Sequence, residues 1–263
     1  MTTAVARLHV VAHPSRREIR SEVPVVLLHG IGGSAQSCAP LAERLAAQGH
    51  PAWCVDAPGY GQSADPITGT DTADEISELL EQQWAGRPVV LLGTSFGGVV
   101  AMTVALRRPD LVAGLVLADS TRGSGTTEQK ATAMRARVTE LFEQGAYQVA
   151  AARAPRLTAP DADPAIAAAV RTSMAALRPT GFGAAAEFMA ATDLGPRLAE
   201  IACPTLVLVG EHDAITGVDE SRLLADRIPG ATLHIIDAAG HVAIQEQPAA
   251  IADLVGAFLG GLS

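Results

Sequence analysis

Short apolar runs recur along the chain, spaced so that a helix fits between most neighbouring pairs. They are 23–29 (VPVVLLH), 51–57 (PAWCVDA), 88–93 (PVVLLG), 112–119 (VAGLVLAD) and 204–210 (PTLVLVG). A sixth, 231–238 (ATLHIIDA), is more mixed. Within these runs Val and Leu follow one another instead of alternating with polar residues. That is the pattern of strands buried on both faces, hence of a parallel sheet. The segments 37–49, 72–86, 96–109 and 218–230 carry apolar residues at helical spacing, and a last helical pattern, 247–261, closes the chain. Gly49, Gly86 and Gly230 stand where helix C-caps are expected. Alternation of this kind predicts an α/β fold with a doubly wound, mostly parallel sheet. Residues 4–23 are expected to add one or two edge strands, for which an antiparallel direction is open.

The alternation fails once. From Ser120 to Ile201 no strand pattern occurs, and the segment is alanine-rich, with helices predicted over 127–153, 164–177 and 181–192. Pro155, Pro160, Pro164 and Pro179 punctuate it. The expected organisation is therefore a core of residues 1–120 and 202–263 interrupted by a helical insertion, 121–201.

Composition narrows the function. Of 263 residues 48% are hydrophobic, enough for one large core, and the net charge of −9 argues against a nucleic-acid partner. Lys130 is the only lysine, and no polybasic stretch suits an anionic membrane surface. No apolar run approaches the length of a signal or membrane-spanning segment, so a cytoplasmic location is expected. Cys38, Cys54 and Cys203 fit neither a metal spacing nor a disulfide framework and are expected as reduced thiols. The expected partner is a small-molecule substrate, with the chain a monomer or homodimer.

The segment 88–106, PVVLLGTSFGGVVAMTVAL, supplies the chemistry. Gly93-Thr94-Ser95-Phe96-Gly97 matches G-x-S-x-G between a predicted strand and a predicted helix, the context that gives this motif meaning. There the serine is held in a strained conformation with its hydroxyl above the sheet, and the helix dipole points at it. A serine hydroxyl needs a general base. Of seven histidines, His241 follows the last strand in a loop that can reach the sheet's C-terminal edge, whereas His234 lies within that strand and is expected to be packed. His212 adjoins an acid candidate in sequence, and His29 is expected to brace its loop. The base needs a carboxylate. Asp213 follows strand 204–210 and gives the order Ser95, Asp213, His241; Asp119 is the alternative and Glu211 a lesser rival. Backbone N–H groups of Phe96 and Ile31 are the expected oxyanion donors, with His29-Gly30 ending the strand and Gly32 and Gly33 leaving the backbone open to a ligand. The GIGG stretch lacks the G-K-[ST] ending and the spacing of phosphate-binding loops.

The stretches VVLLHGIGGS, VDAPGYGQSADP, LLGTSFGGVVA, LVGEHDAIT and AAGHVAIQEQP together resemble the α/β-hydrolase superfamily, over the chain from about Val23. Within it they look most like small serine esterases and lactonases of the 3-oxoadipate enol-lactonase type. The resemblance implies an α/β-hydrolase fold with a helical cap over a hydrolytic site, no cofactor and no metal. It also implies catalytic roles for Ser95, Asp213 and His241. The serine nucleophile disfavours the dehalogenase and epoxide-hydrolase branches, and Asp56, Gly59, Gly61 and Ser63 are expected to shape their loop. Met134, Phe142, Tyr147, Phe182, Phe188 and Met189 are candidate pocket residues, of which Phe142, Phe182 and Phe188 are placed with Gly30 and Gly32 in substrate binding. Aromatics are only 3% of the chain, so an aliphatic pocket of modest size is expected. Arg135, Arg137, Arg153, Arg156 and Arg171 could meet a carboxylated substrate. The expected reaction is acyl transfer from a small carboxylic ester or lactone through an acyl-enzyme. The alternatives are hydrolysis of a C–C bond in a β-diketone-like substrate, or a ligand-binding protein that keeps the triad with little turnover.

Overall fold

The computed structural model describes residues 7–15, 17–18 and 23–262. The first half runs β1 (Val10–His13), β2 (Val25–Leu28), α1 (Ala35–Ala47), β3 (Ala52–Val55), α2 (Thr72–Trp84), β4 (Val89–Thr94), α3 (Phe96–Arg107) and β5 (Val112–Ala118). Four helices follow with no strand: α4 (Glu128–Gln144), α5 (Ala146–Arg153), α6 (Pro164–Ala175) and α7 (Pro179–Ala191). The chain then returns to the sheet with β6 (Thr205–Gly210), α8 (Gly217–Arg227), β7 (Thr232–Ile236), α9 (Ala243–Glu246) and α10 (Pro248–Gly260).

The strands form one sheet in the order β1-β3-β2-β4-β5-β6-β7, parallel except for β1, which pairs antiparallel with β3. This is the α/β-hydrolase architecture. β1 supplies the expected antiparallel edge; residues 4–6, 16 and 19–22 of the predicted edge segment lie outside the described residues. The unbroken apolar runs have a direct cause. Val26, Leu28 and Leu91 pack on the face covered by α2 and α3, while Val25, Leu27, Val90 and Leu92 pack on the face covered by α1 and α10. With both faces covered, no position in β2, β4 or β6 can be polar without a partner, and all are buried.

Two expectations change. The helix predicted over 127–153 is two helices, because the chain turns at Gly145, whose φ of 80° no α-helix accommodates. His234 is exposed rather than packed, since β7 is the edge strand and its outer face is open. Asp71 caps α2 by accepting from the Asp74 N–H at 3.0 Å. Cys38 and Cys54 are buried free thiols and Cys203 is a half-buried one. Among the described residues no helix is long and apolar enough to cross a membrane.

Candidate active site

β4 passes into α3 through a single residue, Ser95, at φ 51° and ψ −115°. A non-glycine residue there costs about 1–3 kcal/mol and persists only where its surroundings over-determine it. The Ser95 N–H donates to the Ala118 carbonyl at 3.0 Å, and the Ser120 hydroxyl donates to the Ser95 carbonyl at 3.0 Å. The flanking glycines let three backbones converge. A Cβ on Gly93 would lie 2.2 Å from the Gly97 carbonyl oxygen, and one on Gly97 would lie 2.2 Å from that of Leu28.

His241 stands in the loop after β7, with Nε2 3.1 Å from Ser95 Oγ. Its Nδ1 is 3.1 Å from each carboxylate oxygen of Asp213, in the loop after β6. Asp213 also accepts from the N–H groups of Ile215 at 2.8 Å and Thr216 at 3.2 Å, and from the Thr216 hydroxyl at 2.5 Å. Burial alone would raise this carboxyl. The bond and charge of His241, the Thr216 hydroxyl and the Ile215 N–H together outweigh it and hold the group at about 2. Facing an ionised acceptor, Nδ1 carries the imidazole proton, and the Nε2 lone pair is left for the serine hydroxyl. Glu211 and His212 are exposed beside this loop and take no part in the contact.

Asp119 occupies a different place from the one open to it in sequence. It is fully buried at φ 48° and accepts from the Gly210 N–H at 2.8 Å and the Ala243 N–H at 3.0 Å. One carboxylate thus ties the start of the Asp213 loop to the segment after His241, without a hydrogen bond to the imidazole. Burial, reinforced by Asp213, pushes its pKa up to about 7 against the opposing effect of His241 and the two N–H donors. Glu246 makes a parallel link, accepting from the Gly240 N–H and from Ala159 in the insertion, both at 2.7 Å. The sequence reading assigned no role to Glu246, Ser120 or Thr216: Thr216 and Glu246 lie within the family-like stretches 208–216 and 238–248, but residue type alone does not show what they bond to.

The loop after β2 is set by His29. Ala57 N–H donates to Nε2 at 3.0 Å, so Nδ1 carries the proton and donates to the Gly30 carbonyl at 2.8 Å. Gly33 N–H donates to the same carbonyl at 2.8 Å. Burial lowers the His29 pKa, in keeping with a neutral ring that accepts at Nε2. Carbonyl and N–H point opposite ways across a trans peptide. Fixing the Gly30 carbonyl therefore fixes the Ile31 N–H, and Tyr60 Oη holds the next carbonyl, that of Ile31, at 3.1 Å. Among the described residues neither the Ile31 nor the Phe96 N–H has an intramolecular acceptor. Asp56 shapes the adjoining loop by accepting from Ala35 N–H at 2.7 Å and Gln62 N–H at 3.1 Å.

Ser95 and His241 open on a cavity of about 130 Å³ beneath the insertion, walled by Leu157, Val170, Met174, Ile215 and Val242. Its apolar walls are aliphatic: among the described residues no Phe, Tyr or Trp lines it. Gly30, Ile31 and Gly32 do line it, and Gly32 lies against Met174. The aromatic pocket candidates do not. Phe142 is 82% exposed on the insertion's outer surface, while Phe182 and Phe188 are buried in the core, Phe188 edge-on to Phe96 at 6.0 Å. Tyr147 is exposed on the insertion, and Met189 is buried in the core cluster with Phe182 and Phe188. Of the five arginines, Arg137, Arg153 and Arg156 line the cavity; Arg135 and Arg171 do not.

Comparison with known proteins agrees with this architecture. The family model described as serine aminopeptidase, S33 (Hydrolase_4) matches residues 20–248. The chain is 28% identical over 207 residues to 3-oxoadipate enol-lactonase 2 of Acinetobacter baylyi, covering 75% of this chain and 74% of that protein. It is 32% identical over 255 residues to a 2-hydroxy-6-oxononadienedioate/2-hydroxy-6-oxononatrienedioate hydrolase of Cupriavidus pinatubonensis, covering 90% and 86%. A thermophilic esterase from Thermogutta terrifontis superposes with a TM-score of 0.88 at 27% identity, over 97% of this chain and 93% of that one. The chain therefore belongs to the serine aminopeptidase S33 family and is an α/β-hydrolase that resembles esterases and enol-lactonases.

Proposed function

We propose that the protein is a serine hydrolase that cleaves a small carboxylic ester or lactone through an acyl-enzyme, with Ser95 as nucleophile, His241 as base and Asp213 as the acid that orients it. The observation that carries this reading is the unbroken relay from Ser95 Oγ through the imidazole to Asp213, each link 3.1 Å, on a serine held at φ 51°. His241 takes the hydroxyl proton as Oγ attacks the carbonyl carbon. The resulting oxyanion is bound by the Ile31 and Phe96 N–H groups, and His241 returns the proton to the leaving alkoxide. Water then attacks the acyl group with the same histidine as base, so that ester and water become acid and alcohol. The helical insertion acts as a cap, and Asp119 and Glu246 hold the loops that carry acid and base. Relatives named as an enol-lactonase and an esterase support the ester or lactone class.

A second reading is C–C bond hydrolysis, favoured by 32% identity over 255 residues to the dienedioate hydrolase. The test is fluorophosphonate labelling together with turnover of p-nitrophenyl acetate and of a vinylogous diketone by wild type and Ser95→Ala. Labelling and ester turnover that both vanish in Ser95→Ala are expected. Turnover of the diketone alone would favour the second reading. Ligand binding with neither labelling nor turnover would replace both with a receptor.

A further inference from the structure

The three arginines of the cavity differ in how their charge is balanced. Arg153, at the end of α5, is paired with Glu140, and Arg156 is largely exposed. Arg137, in α4, has neither exit. It is half-buried, and its Nε is inaccessible to solvent and has no hydrogen-bond partner. Its Nη1 reaches only the weakly accepting Met134 sulfur at 3.6 Å, and its plane lies over the Phe182 ring with the guanidinium carbon 5.5 Å from the centroid. Among the described residues no carboxylate comes within 4.0 Å of it. Two arginines of the insertion outside the cavity are paired, Arg135 with Glu187 at 2.8 Å and Arg178 with Asp65 at 3.1 Å.

Withdrawing a cation from water without a counter-ion is costly. Burial, together with the nearby charge of Arg153, lowers the Arg137 pKa to about 10. Glu140 offsets this only in part, being paired already with Arg153, and among the described residues no Asp or Glu lines the cavity. The chain as a whole carries a net charge of −9, so a positive chamber is not a consequence of composition. A guanidinium is also the side chain best matched to a carboxylate, which it can bind through two parallel N–H bonds.

We propose that Arg137, backed by Arg153, is the subsite for a free carboxylate on the substrate, so that the enzyme takes short aliphatic esters or lactones bearing a second, ionised carboxyl group. The apolar walls are aliphatic, Ser37, Ser173 and Gln245 add only neutral polar groups, and a cavity of about 130 Å³ holds only a short chain. Phe182, expected to contact substrate directly, instead supports the arginine that does so. This inference rests on the serine-hydrolase reading above.

The test compares monomethyl esters of the C4–C6 dicarboxylic acids with methyl esters of the monocarboxylic acids of equal length, by kcat/KM in a pH-stat. Wild type is expected to prefer the carboxylated ester, and Arg137→Gln to reduce that preference about 10- to 100-fold, mainly through KM, as loss of a charged hydrogen-bond pair does. Arg137→Lys should restore part of it, and Arg171→Gln, exposed and outside the cavity, should leave it unchanged. Absence of any preference in a wild type that turns over neutral esters would overturn the proposal. So would a parallel fall for both esters in Arg137→Gln, which marks a purely structural role. A wild type that neither hydrolyses p-nitrophenyl acetate nor takes the fluorophosphonate label would instead sink the serine-hydrolase reading itself.

Discussion

Replacing Asp213 by asparagine separates the proposed acid from its rival. In the native site one carboxylate oxygen accepts from the Ile215 and Thr216 N–H groups at 2.8 and 3.2 Å, and the other from the Thr216 hydroxyl at 2.5 Å. The two backbone donors cannot reverse, whereas the hydroxyl can. They will keep the asparagine oxygen and turn its NH2 toward the hydroxyl and His241 Nδ1. The imidazole must then accept at Nδ1 and carry its proton on Nε2, facing Ser95 with a hydrogen in place of a lone pair. A wrong tautomer of this kind costs about 10⁴ in kcat, or about 5 kcal/mol of barrier. Stability should fall as well. A carboxyl lowered from 3.8 to about 2 stabilises the fold by about 2 kcal/mol, fully above about pH 4 and lost as pH falls toward 2. Asp213→Asn forgoes that contribution at neutral pH. The assays are kcat for p-nitrophenyl acetate at pH 7.5 and denaturant unfolding at the same pH. Activity within tenfold of wild type, or an equal loss in Asp119→Asn, would refute the assignment.

How much of this was legible in the chain depends on how local each signal is. The sheet was legible because a strand covered on both faces must be apolar at every position, and β2, β4 and β6 are. The elbow at Ser95 was legible because backbone crowding at Gly93 and Gly97 demands glycine at fixed offsets from the serine. β7 misled, since an edge strand leaves His234 and Ile235 exposed while keeping a strand-like composition. The cavity wall was the least legible part. Helical spacing marks Phe182 and Phe188 as apolar but does not say whether they face a ligand, α3 or another helix of the insertion. Asp119 shows the limit most plainly: type and position allowed it to be the acid, and only its two backbone donors, 91 and 124 residues away in sequence, give it a different task.

Further outcomes follow from crowding at two glycines and from one buried charge. Gly97→Ala puts a methyl 2.2 Å from the Leu28 carbonyl oxygen, which no rotamer change relieves, so a loss of about 3 kcal/mol or more in denaturant unfolding and loss of fluorophosphonate labelling are expected. Gly260→Ala meets nothing within 4 Å and lies in α10, so it should be neutral or stabilising by up to about 1 kcal/mol. The Asp119 carboxyl, raised from 3.8 to about 7, contributes in the opposite sense from Asp213. Its protonated form is the one the fold prefers, so its contribution is complete below about pH 4 and is withdrawn as pH rises through 7. The full swing between pH 4 and pH 8 is about 4 kcal/mol. Asp119→Asn removes the titration but leaves an amide that can satisfy only one of two inward-pointing N–H groups, so it will be less stable than wild type at low pH. Because the wild type alone loses stability on ionisation, the two unfolding curves should converge as pH rises from 5 to 8. A difference in unfolding free energy that stays constant across that range would mean that Asp119 is already ionised at pH 5, and that its two backbone donors outweigh the cost of its burial.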